Sequence, residues 1–523
     1  MSDIALSDIL AKLAEMPDDA LEEILKAATE STKELLWVPN PGPQTEAYFS
    51  LADEIFYGGQ AGGGKTDLEL GLALTAHENS LLLRRTNKEA LGLVARMTEM
   101  LGGNRDGWNS QTGTWRRPDG RMIDIGGCEH EHDKQKRKGQ PHDLICFDEL
   151  PDFTESQYVF ITTWNRSATP GQRCRVVSAG NPPTNPEGQW VVGRWAAWLD
   201  PLHPNPAQPG ELRWYLTGPE GKEIEVDGPG PHTINGRDTS ARSRTFIPAK
   251  LSDNPDLAKG GGYAAVLDAL PADLQSAYRD GNFGATLEDQ AFQAIPTAWI
   301  RAAQARWTAI PPIGVPMCAM GIDIAQGGKD NTVIARRFDG WYAPLVVAKG
   351  SATPDGQTAG GLVITHRRNF AKVIVDLGGG WGGDALAHLI ANGVDAVGYM
   401  GVKKASERTG DKLFKLTNVR TLAYWRFREA LDPSQPQGST IMLPPDNLMV
   451  ADLCAPTYDK TSRGIELESK DKVCARLGRS TDRGDAVVMA WWYGLKVANV
   501  KGGWAQRVHH QDAVMSTKYR RRG

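Results

Sequence analysis

Gly59-Gln60-Ala61-Gly62-Gly63-Gly64-Lys65-Thr66 decides the first half of the fold. The spacing G-x-x-x-x-G-K-[ST] is that of a phosphate-binding loop. Before it, Glu54-Ile55-Phe56-Tyr57 reads as a short buried strand. After it, Leu68, Leu70, Leu72 and Leu74 lie among good helix formers. Strand, glycine loop and helix in that order give the pattern its meaning; the bland alternative is a glycine-rich turn that only joins strand to helix. Glycines let backbone N–H groups turn onto phosphate oxygens, and the helix N-terminus adds a favourable dipole. In this reading the whole loop, Gly59, Gln60, Ala61, Gly62, Gly63 and Gly64, binds ATP. Lys65 reaches the β- and γ-phosphates, and the Thr66 hydroxyl holds Mg²⁺.

Working outward, Leu144-Ile145-Cys146-Phe147-Asp148-Glu149 is the second anchor: four apolar residues of a central strand with two carboxylates at its end. Asp148 is expected on Mg²⁺, and Glu149 is expected to polarise the attacking water. The pair comes 83 residues after Lys65 (148 − 65), beyond a further strand, Leu81–Arg85, and a hairpin over 112–126 turning at Pro118-Asp119-Gly120. Arg84 and Arg85 close that strand at its polar end, where parallel sheets place ligands. Arg175–Pro182 is a third strand, with Ser178 and Asn181 as candidate γ-phosphate sensors. Gln44, in the proline-fixed stretch Trp37–Gln44, carries the donor and acceptor that match an adenine edge; an exposed loop glutamine is the alternative. Cys128 to Asp133 invites a metal reading, but Cys-x-His-x-His is not structural-zinc spacing, and a solvated polar loop is the better reading. The basic run Lys134–Lys138 is either a solvated face or the source of an arginine, Arg137, that reaches a neighbour's phosphates. Residues 200–240, rich in Pro and Gly, read as an irregular insertion or long hairpin, and 262–282 returns to helix.

A second unit begins near residue 290. Met317–Asp323 is a strand ending in a carboxylate, Lys372–Asp376 is another, and Asp485 opens the helix that runs to Trp492. Any one strand-end Asp commonly caps a turn. Asp323, Asp376 and Asp485 in this order, separated by 53 and 109 residues (376 − 323; 485 − 376), are the constellation of an RNase H-like nuclease. Such a site holds two Mg²⁺ or Mn²⁺ ions against the attacking and leaving oxygens of a phosphodiester. Asp482, one turn earlier, reads as an N-cap, with a secondary ligand as the alternative, and Asp330, across the glycine turn from Asp323, is the other reserve ligand.

Composition frames these motifs. A chain of 523 residues calls for several domains, and 40% hydrophobic with 23% charged residues is a soluble globular balance. Six scattered cysteines suit a reducing compartment. A net charge of −4 argues against a passive nucleic-acid coat but allows an enzyme with a local basic channel. Residues 2–33 read as two short amphipathic helices and 518–523 as a basic end. The expected division is a helical arm (1–36), a P-loop ATPase domain (37–285), a nuclease domain (286–500) and a basic tail (501–523).

Taken together, Pro41–Gln44, Tyr57-Gly58-Gly59 with the loop, Leu82–Thr86, Asp148-Glu149-Leu150, Gly180-Asn181-Pro182, Gly321-Ile322-Asp323, Val375-Asp376 and Asp482–Ala486 resemble the large subunit of tailed-phage terminases, from about residue 37 to 495 and in the family's order. The resemblance implies an α/β chain of two parts, an ASCE-type ATPase followed by an RNase H-like nuclease. It also implies ATP-driven translocation of double-stranded DNA into a procapsid, with endonucleolytic cutting of concatemeric DNA. Expected partners are DNA, a small terminase subunit and a portal protein carrying a homo-oligomeric ring, in the bacterial host cytoplasm and transiently on the procapsid. Many members carry Arg where this chain has Gln60, so no cis arginine carries over, which raises interest in Arg137, Arg84 and Arg85. An ATP-dependent helicase-nuclease of repair or recombination is the alternative function. A transposase or integrase fused to an ATPase is a third; it lacks support in a site-specific DNA-binding module.

Overall fold

A computed structural model describes residues 16–493, apart from 18–19, 22, 25–34, 201–202, 218–222, 235, 260, 272–273, 285–288, 326, 328–329, 379–381 and 437. The helices expected over 2–33 fall almost wholly, and the basic tail wholly, outside the described residues. No described helix is long and apolar enough to cross a membrane.

Among the described residues, twelve strands build the first half: β1 (Glu54–Gly59), β2 (Asn79–Arg84), β3 (Trp108–Asn109), β4 (Thr114–Arg116), β5 (Met122–Gly127), β6 (Leu144–Phe147), β7 (Arg175–Gly180), β8 (Arg213–Thr217), β9 (Glu223–Val226), β10 (His232–Ile234), β11 (Arg237–Thr239) and β12 (Arg242–Ala249). Ten of them form one sheet in the order β3-β4-β5-β2-β6-β7-β1-β12-β8-β9. The six from β5 to β12 run parallel. Their near-continuous apolar runs follow from burial on both faces. Ile55, Tyr57 and Leu82 enter one core and Phe56, Leu81 and Leu83 the other, as the two-residue period of a strand demands. Strand β7 lies between β1 and β6, so the acidic pair is one strand removed from the phosphate loop, the ASCE arrangement.

The hairpin expected over 112–126 is β4–β5, turning at Pro118-Asp119-Gly120. The insertion over 200–240 is more ordered than its composition suggests. Strands β8 and β9 extend the main sheet, and β10 pairs with β11 separately. The expected helix over 262–282 is two pieces, Gly262–Asp268 and a short wide turn at Gln275–Arg279, because Pro271 cannot continue a helix.

The second sheet contains β13 (Ala319–Asp323), β14 (Asn331–Phe338), β15 (Trp341–Tyr342), β16 (Val346–Lys349), β17 (Lys372–Asp376) and β18 (Ala396–Tyr399). Its order is β15-β14-β13-β17-β18, with β16 also on β14. Strand β13 is antiparallel to β14 and parallel to β17, and β17 is parallel to β18. Three parallel strands flanked by the antiparallel β14, in this order, make the RNase H-like sheet. Phe283 belongs to the core of the first sheet, Ala294 and Ile295 to that of the second. The two halves touch where Arg476 pairs with Glu187 at 2.6 Å and Leu448 packs on the aromatic core of the first.

Candidate active sites

The phosphate loop leaves β1 and enters α1 (Lys65–Thr75) through Gly64, whose φ of +71° an L side chain would resist. Lys65 is buried. Its Nζ donates to the Gln60 carbonyl at 2.6 Å and to Asn181 Oδ1 at 2.8 Å. Burial lowers the Lys65 pKa, and Glu149 and Asp148 oppose that shift. Thr66 Oγ1 donates to Asp148 Oδ2 at 3.1 Å, bringing together the two expected Mg²⁺ ligands from positions 82 residues apart. The same Oδ2 accepts from Arg84 Nε at 2.9 Å and Nη2 at 2.7 Å. In this state an arginine occupies the carboxylate edge that a cation would use.

Glu149 has φ 59° and ψ 59°, a left-handed conformation rare outside glycine. Such strain persists where surrounding structure over-determines it, commonly at sites of chemistry. Burial, and then Asp148, raise the Glu149 pKa. The residue lines a cavity of about 420 Å³ together with Ala61, Asn181, Tyr263 and Tyr278. Glu69, on the buried face of α1, is an acid that no motif points to. Burial and neighbouring Asp148 push its pKa well above the carboxylate range.

Several expectations change here. Gln44 is 2% exposed, its Nε2 donating to the Gly64 carbonyl at 2.8 Å and its Oε1 accepting from Asn40 N at 2.5 Å. Both ends of the amide brace the loop, so in this structure it is not presented to a base. The Gln60 side chain accepts from Leu251 N and ties the loop to the segment after β12. Ser178 is fully buried within β7; Asn181, beyond the strand end, is the residue that meets Lys65. Arg85 is taken up by Gln157 Oε1 at 2.6 Å and the Cys128 carbonyl. Cys128 is buried, and Glu131–Arg137 forms a tight helical turn rather than a loose loop. Arg137 lies over β5, its Nη2 2.6 Å from where a Cβ on Gly126 would stand. Strand β5 is four strands from β1, roughly 19 Å at about 4.8 Å per strand, so Arg137 stands away from this chain's phosphate loop.

In the second sheet, Asp323 ends β13 and Asp376 ends the adjacent β17. Asp485 stands in the first turn of α5 (Asp482–Trp492), numbered after α2 (Glu155–Thr162), α3 (Val419–Leu431) and α4 (Lys470–Leu477). Helix α5 reaches β13 because Gly321 lacks a side chain; a Cβ there would stand 2.0 Å from the Ala486 carbonyl oxygen and 2.5 Å from Ala490 N. The three carboxylates surround one ammonium. Lys470 Nζ is 2.8 Å from Asp323, 2.9 Å from Asp485 and 3.9 Å from Asp376. Asp485 also accepts from Tyr424 Oη at 2.8 Å and Thr481 Oγ1 at 2.7 Å. Burial would raise Asp485, but Lys470 and Arg420 outweigh it and hold the group at about 2. Burial drives Asp323 well up, and Asp482 to about 6. One carboxylate pulled down while its neighbours are pushed up describes a cluster short of positive charge.

Asp482 is not the cap. Thr481 holds that position, and Asp482, first in the helix, accepts from Asn331 N at 3.1 Å beside the cluster. Asp330 lines the same cleft. Among the described residues no three His, Cys, Asp or Glu side chains stand at ion-binding spacing. The Lys470 ammonium is wedged between the acids. The donor set fits a hard cation, being carboxylate oxygens already gathered around a positive charge. Lys470 belongs to no motif, its one sequence signal being that a buried acidic trio requires a counter-charge.

No protein-family model and no curated protein matches the sequence. Among solved structures, a large terminase from a thermophilic bacteriophage aligns with 85% of this chain and 98% of its own at 12% identity, TM-score 0.32. The complex of that terminase with ATP-γ-S covers 87% and 100% at 13% identity, TM-score 0.31. The nuclease domain of the large terminase subunit gp2 of bacterial virus Sf6 covers 38% of this chain and 97% of its own at 16% identity, TM-score 0.30. In structure, this chain is similar to those bacteriophage terminases.

Proposed function

We propose that this chain is a DNA-packaging motor of the terminase type: an ATPase (37–285) that translocates double-stranded DNA and a metal-dependent endonuclease (286–500) that cuts it. The observation that carries the reading is the presence of both sites in one polypeptide. Lys65, Thr66, Asp148 and Asn181 meet at the end of one sheet, and Asp323, Asp376 and Asp485 meet around Lys470 at the end of another. A helicase-nuclease would carry a second nucleotide-binding sheet; the second sheet here has the antiparallel β14 beside β13 and no phosphate loop among its described residues.

At the first site Lys65 holds the β- and γ-phosphates, Asn181 follows the γ-phosphate, and Glu149 orients the attacking water and takes its proton. Thr66 and Asp148 would hold Mg²⁺, which would supply positive charge against the phosphates, at the Asp148 edge where Arg84 now lies. Arg84 then faces the phosphates or Glu149, and Arg137 acts across a subunit boundary. At the second site Asp323, Asp376 and Asp485 would hold Mg²⁺ or Mn²⁺, which would supply a Lewis acid and an activated water. Tyr424 and Thr481 fix the Asp485 carboxylate for that role. The finer partners in this proposal are a small subunit, a portal and a ring of copies, in the host cytoplasm and on the procapsid.

The test is separability. Lys65→Ala should abolish ATP hydrolysis and packaging while duplex cleavage survives, and Asp376→Asn should abolish cleavage while ATP hydrolysis survives. Loss of both activities in either variant, with its melting profile intact, overturns the two-site reading.

A further inference from the structure

The rim of the nuclease site carries an element that none of the motifs used. Chain leaving β18 at Tyr399, which pairs in register with Asp376, forms the loop 400–418 and then enters α3, whose Tyr424 holds Asp485. Both ends of this loop are therefore joined to residues of the acidic site, and Val402 lines the same cleft as Asp376 and Asp323.

The loop is built, not slack. Leu416, Leu422 and Ile465 form a small core beneath it, with Ala405 packed against them. The backbone of Arg408 bridges that of Lys415, and Lys404 bridges Asn418, as in a short antiparallel pair. At the tip, Thr409 N donates to the Phe414 carbonyl at 2.9 Å, and Asp411 accepts from Leu413 N at 2.9 Å. Gly410 N is pinned by Glu429 at 2.6 Å, and Lys412 is held at φ +63°. A frame this determined nevertheless presents apolar surface to solvent: Leu413 is 69% exposed and Val402 86%.

Charge points to the partner. From Lys403 to Lys415 the loop carries five bases, Lys403, Lys404, Arg408, Lys412 and Lys415, against Glu407 and Asp411, a net of +3 in a chain of net −4. Both acids are engaged by backbone N–H groups of the loop itself. Among the described residues the four lysines make no ion pair and are exposed. Exposed lysines flanking an exposed aliphatic tip match a polyanion whose grooves admit apolar side chains. In duplex DNA such wedges enter between base steps in the minor groove and kink the helix, while bases hold flanking phosphates.

We infer that the 402–415 loop is a DNA clamp: Lys412 and Lys415, with Lys403 and Lys404, seat on phosphates, and Leu413, at the tip that Glu429 pins near the end of α3, wedges into the minor groove of a duplex that runs on to the acidic trio. The inference rests on the nuclease reading and adds to it the element that positions the duplex.

The experiment uses the full chain in chelator, so that nothing is cut, and a short duplex labelled at both ends. Affinity is read by anisotropy over a salt series and bending by energy transfer between the ends. The double variant Lys412→Gln/Lys415→Gln should bind roughly tenfold or more weaker in moderate salt. Its slope of log affinity against log salt should be shallower by about 2, at about 0.9 per lost phosphate contact. Leu413→Ala should keep the slope and lose the bend. Unchanged slope in the first variant, or unchanged bend in the second, with melting profiles equal to the parent, overturns the clamp. So does normal DNA binding by variants that fail only when procapsids are added, since the surface would then belong to a protein partner. Failure of the underlying reading looks different: the parent chain itself would neither hold nor, with Mn²⁺, cut the duplex.

Discussion

Replacing Lys470 by Met keeps most of the side-chain volume and removes the one ammonium at the centre of Asp323, Asp376 and Asp485. At 2.8 and 2.9 Å the ammonium attracts each of its two nearest carboxylates by about 6 kcal/mol at an effective dielectric of about 20, before desolvation is subtracted. Breaking a buried ion pair by deleting one partner costs about 3–5 kcal/mol net, because the surviving charges are left uncompensated. For a domain of this size about 2–4 °C accompanies each kcal/mol, so the second unit of Lys470→Met should melt roughly 6–20 °C lower in chelator. A divalent ion should narrow the gap. In the parent, an ion entering between the acids must first displace the ammonium; in the variant nothing stands in its way. Mn²⁺ saturating a site a hundredfold above its Kd stabilises by about 2.7 kcal/mol, and the variant should gain more of that than the parent. Differential scanning of both proteins, with chelator and across a Mn²⁺ series, checks this. A variant no less stable in chelator, or one that gains no more from Mn²⁺ than the parent, refutes the idea that Lys470 stands in a cation's place.

Four further outcomes are expected. Glu149→Gly should slow ATP hydrolysis by roughly 10²–10⁴-fold through loss of the base, yet raise stability by about 1 kcal/mol because glycine relieves the left-handed backbone; a less stable variant contradicts the strain argument. Gly321→Ala should leave ATPase activity intact and lower cleavage by about 10²-fold, since α5 must retreat from β13 and carry Asp485 with it; wild-type cleavage would show that this approach does not set the site. Mixed rings of Arg137→Ala and Glu149→Gln subunits should recover partial ATPase activity if Arg137 acts in trans; no recovery at any ratio, with rings assembled, assigns it a structural role. Glu54 is buried, which alone would raise its pKa, but Arg194 and Arg244 hold it well below the carboxylate range. Its stabilising contribution should therefore be complete above that range and drain away as the pH falls below it toward the depressed folded value, so Glu54→Gln should lose about 3–5 kcal/mol at neutral pH and show a flatter acid limb.

What is legible in the sequence is what repeats locally. Leu81–Leu83, Leu144–Phe147 and Val373–Val375 announce central parallel strands because both faces are buried, and Pro118-Asp119-Gly120 announces its turn through backbone preference. The phosphate loop and the strand-end acids carry their chemistry in type and position. What escapes is decided by partners far along the chain. Lys470 meets Asp323 across 147 positions, and Gln44 meets the Gly64 carbonyl across 20, with no periodicity to mark either. Arg84 reads as a phosphate contact and sits on Asp148, since a guanidinium lying beside a buried carboxylate pairs with it. The helix α5 begins one residue before its expected place, after Thr481, whose hydroxyl goes to Asp485 rather than to a backbone N–H.

The contact between Gly321 and α5 bears on how nuclease competence is recognised in chains of this kind. Asp323 and Asp376 are set by the pairing of β13 with β17, but the approach of Asp485 depends on an absent atom, the missing Cβ that lets the Ala486 and Ala490 backbone settle on β13. A chain retaining every acid but bearing valine at position 321 would pass a search for the three aspartates and be unable to close the site. On the function proposed above, its DNA would be moved and never cut, and its defect would be invisible to any inventory of ligands. Loss of cutting through that position is also easily undone, since one reversion to glycine restores the seat without touching a single functional group.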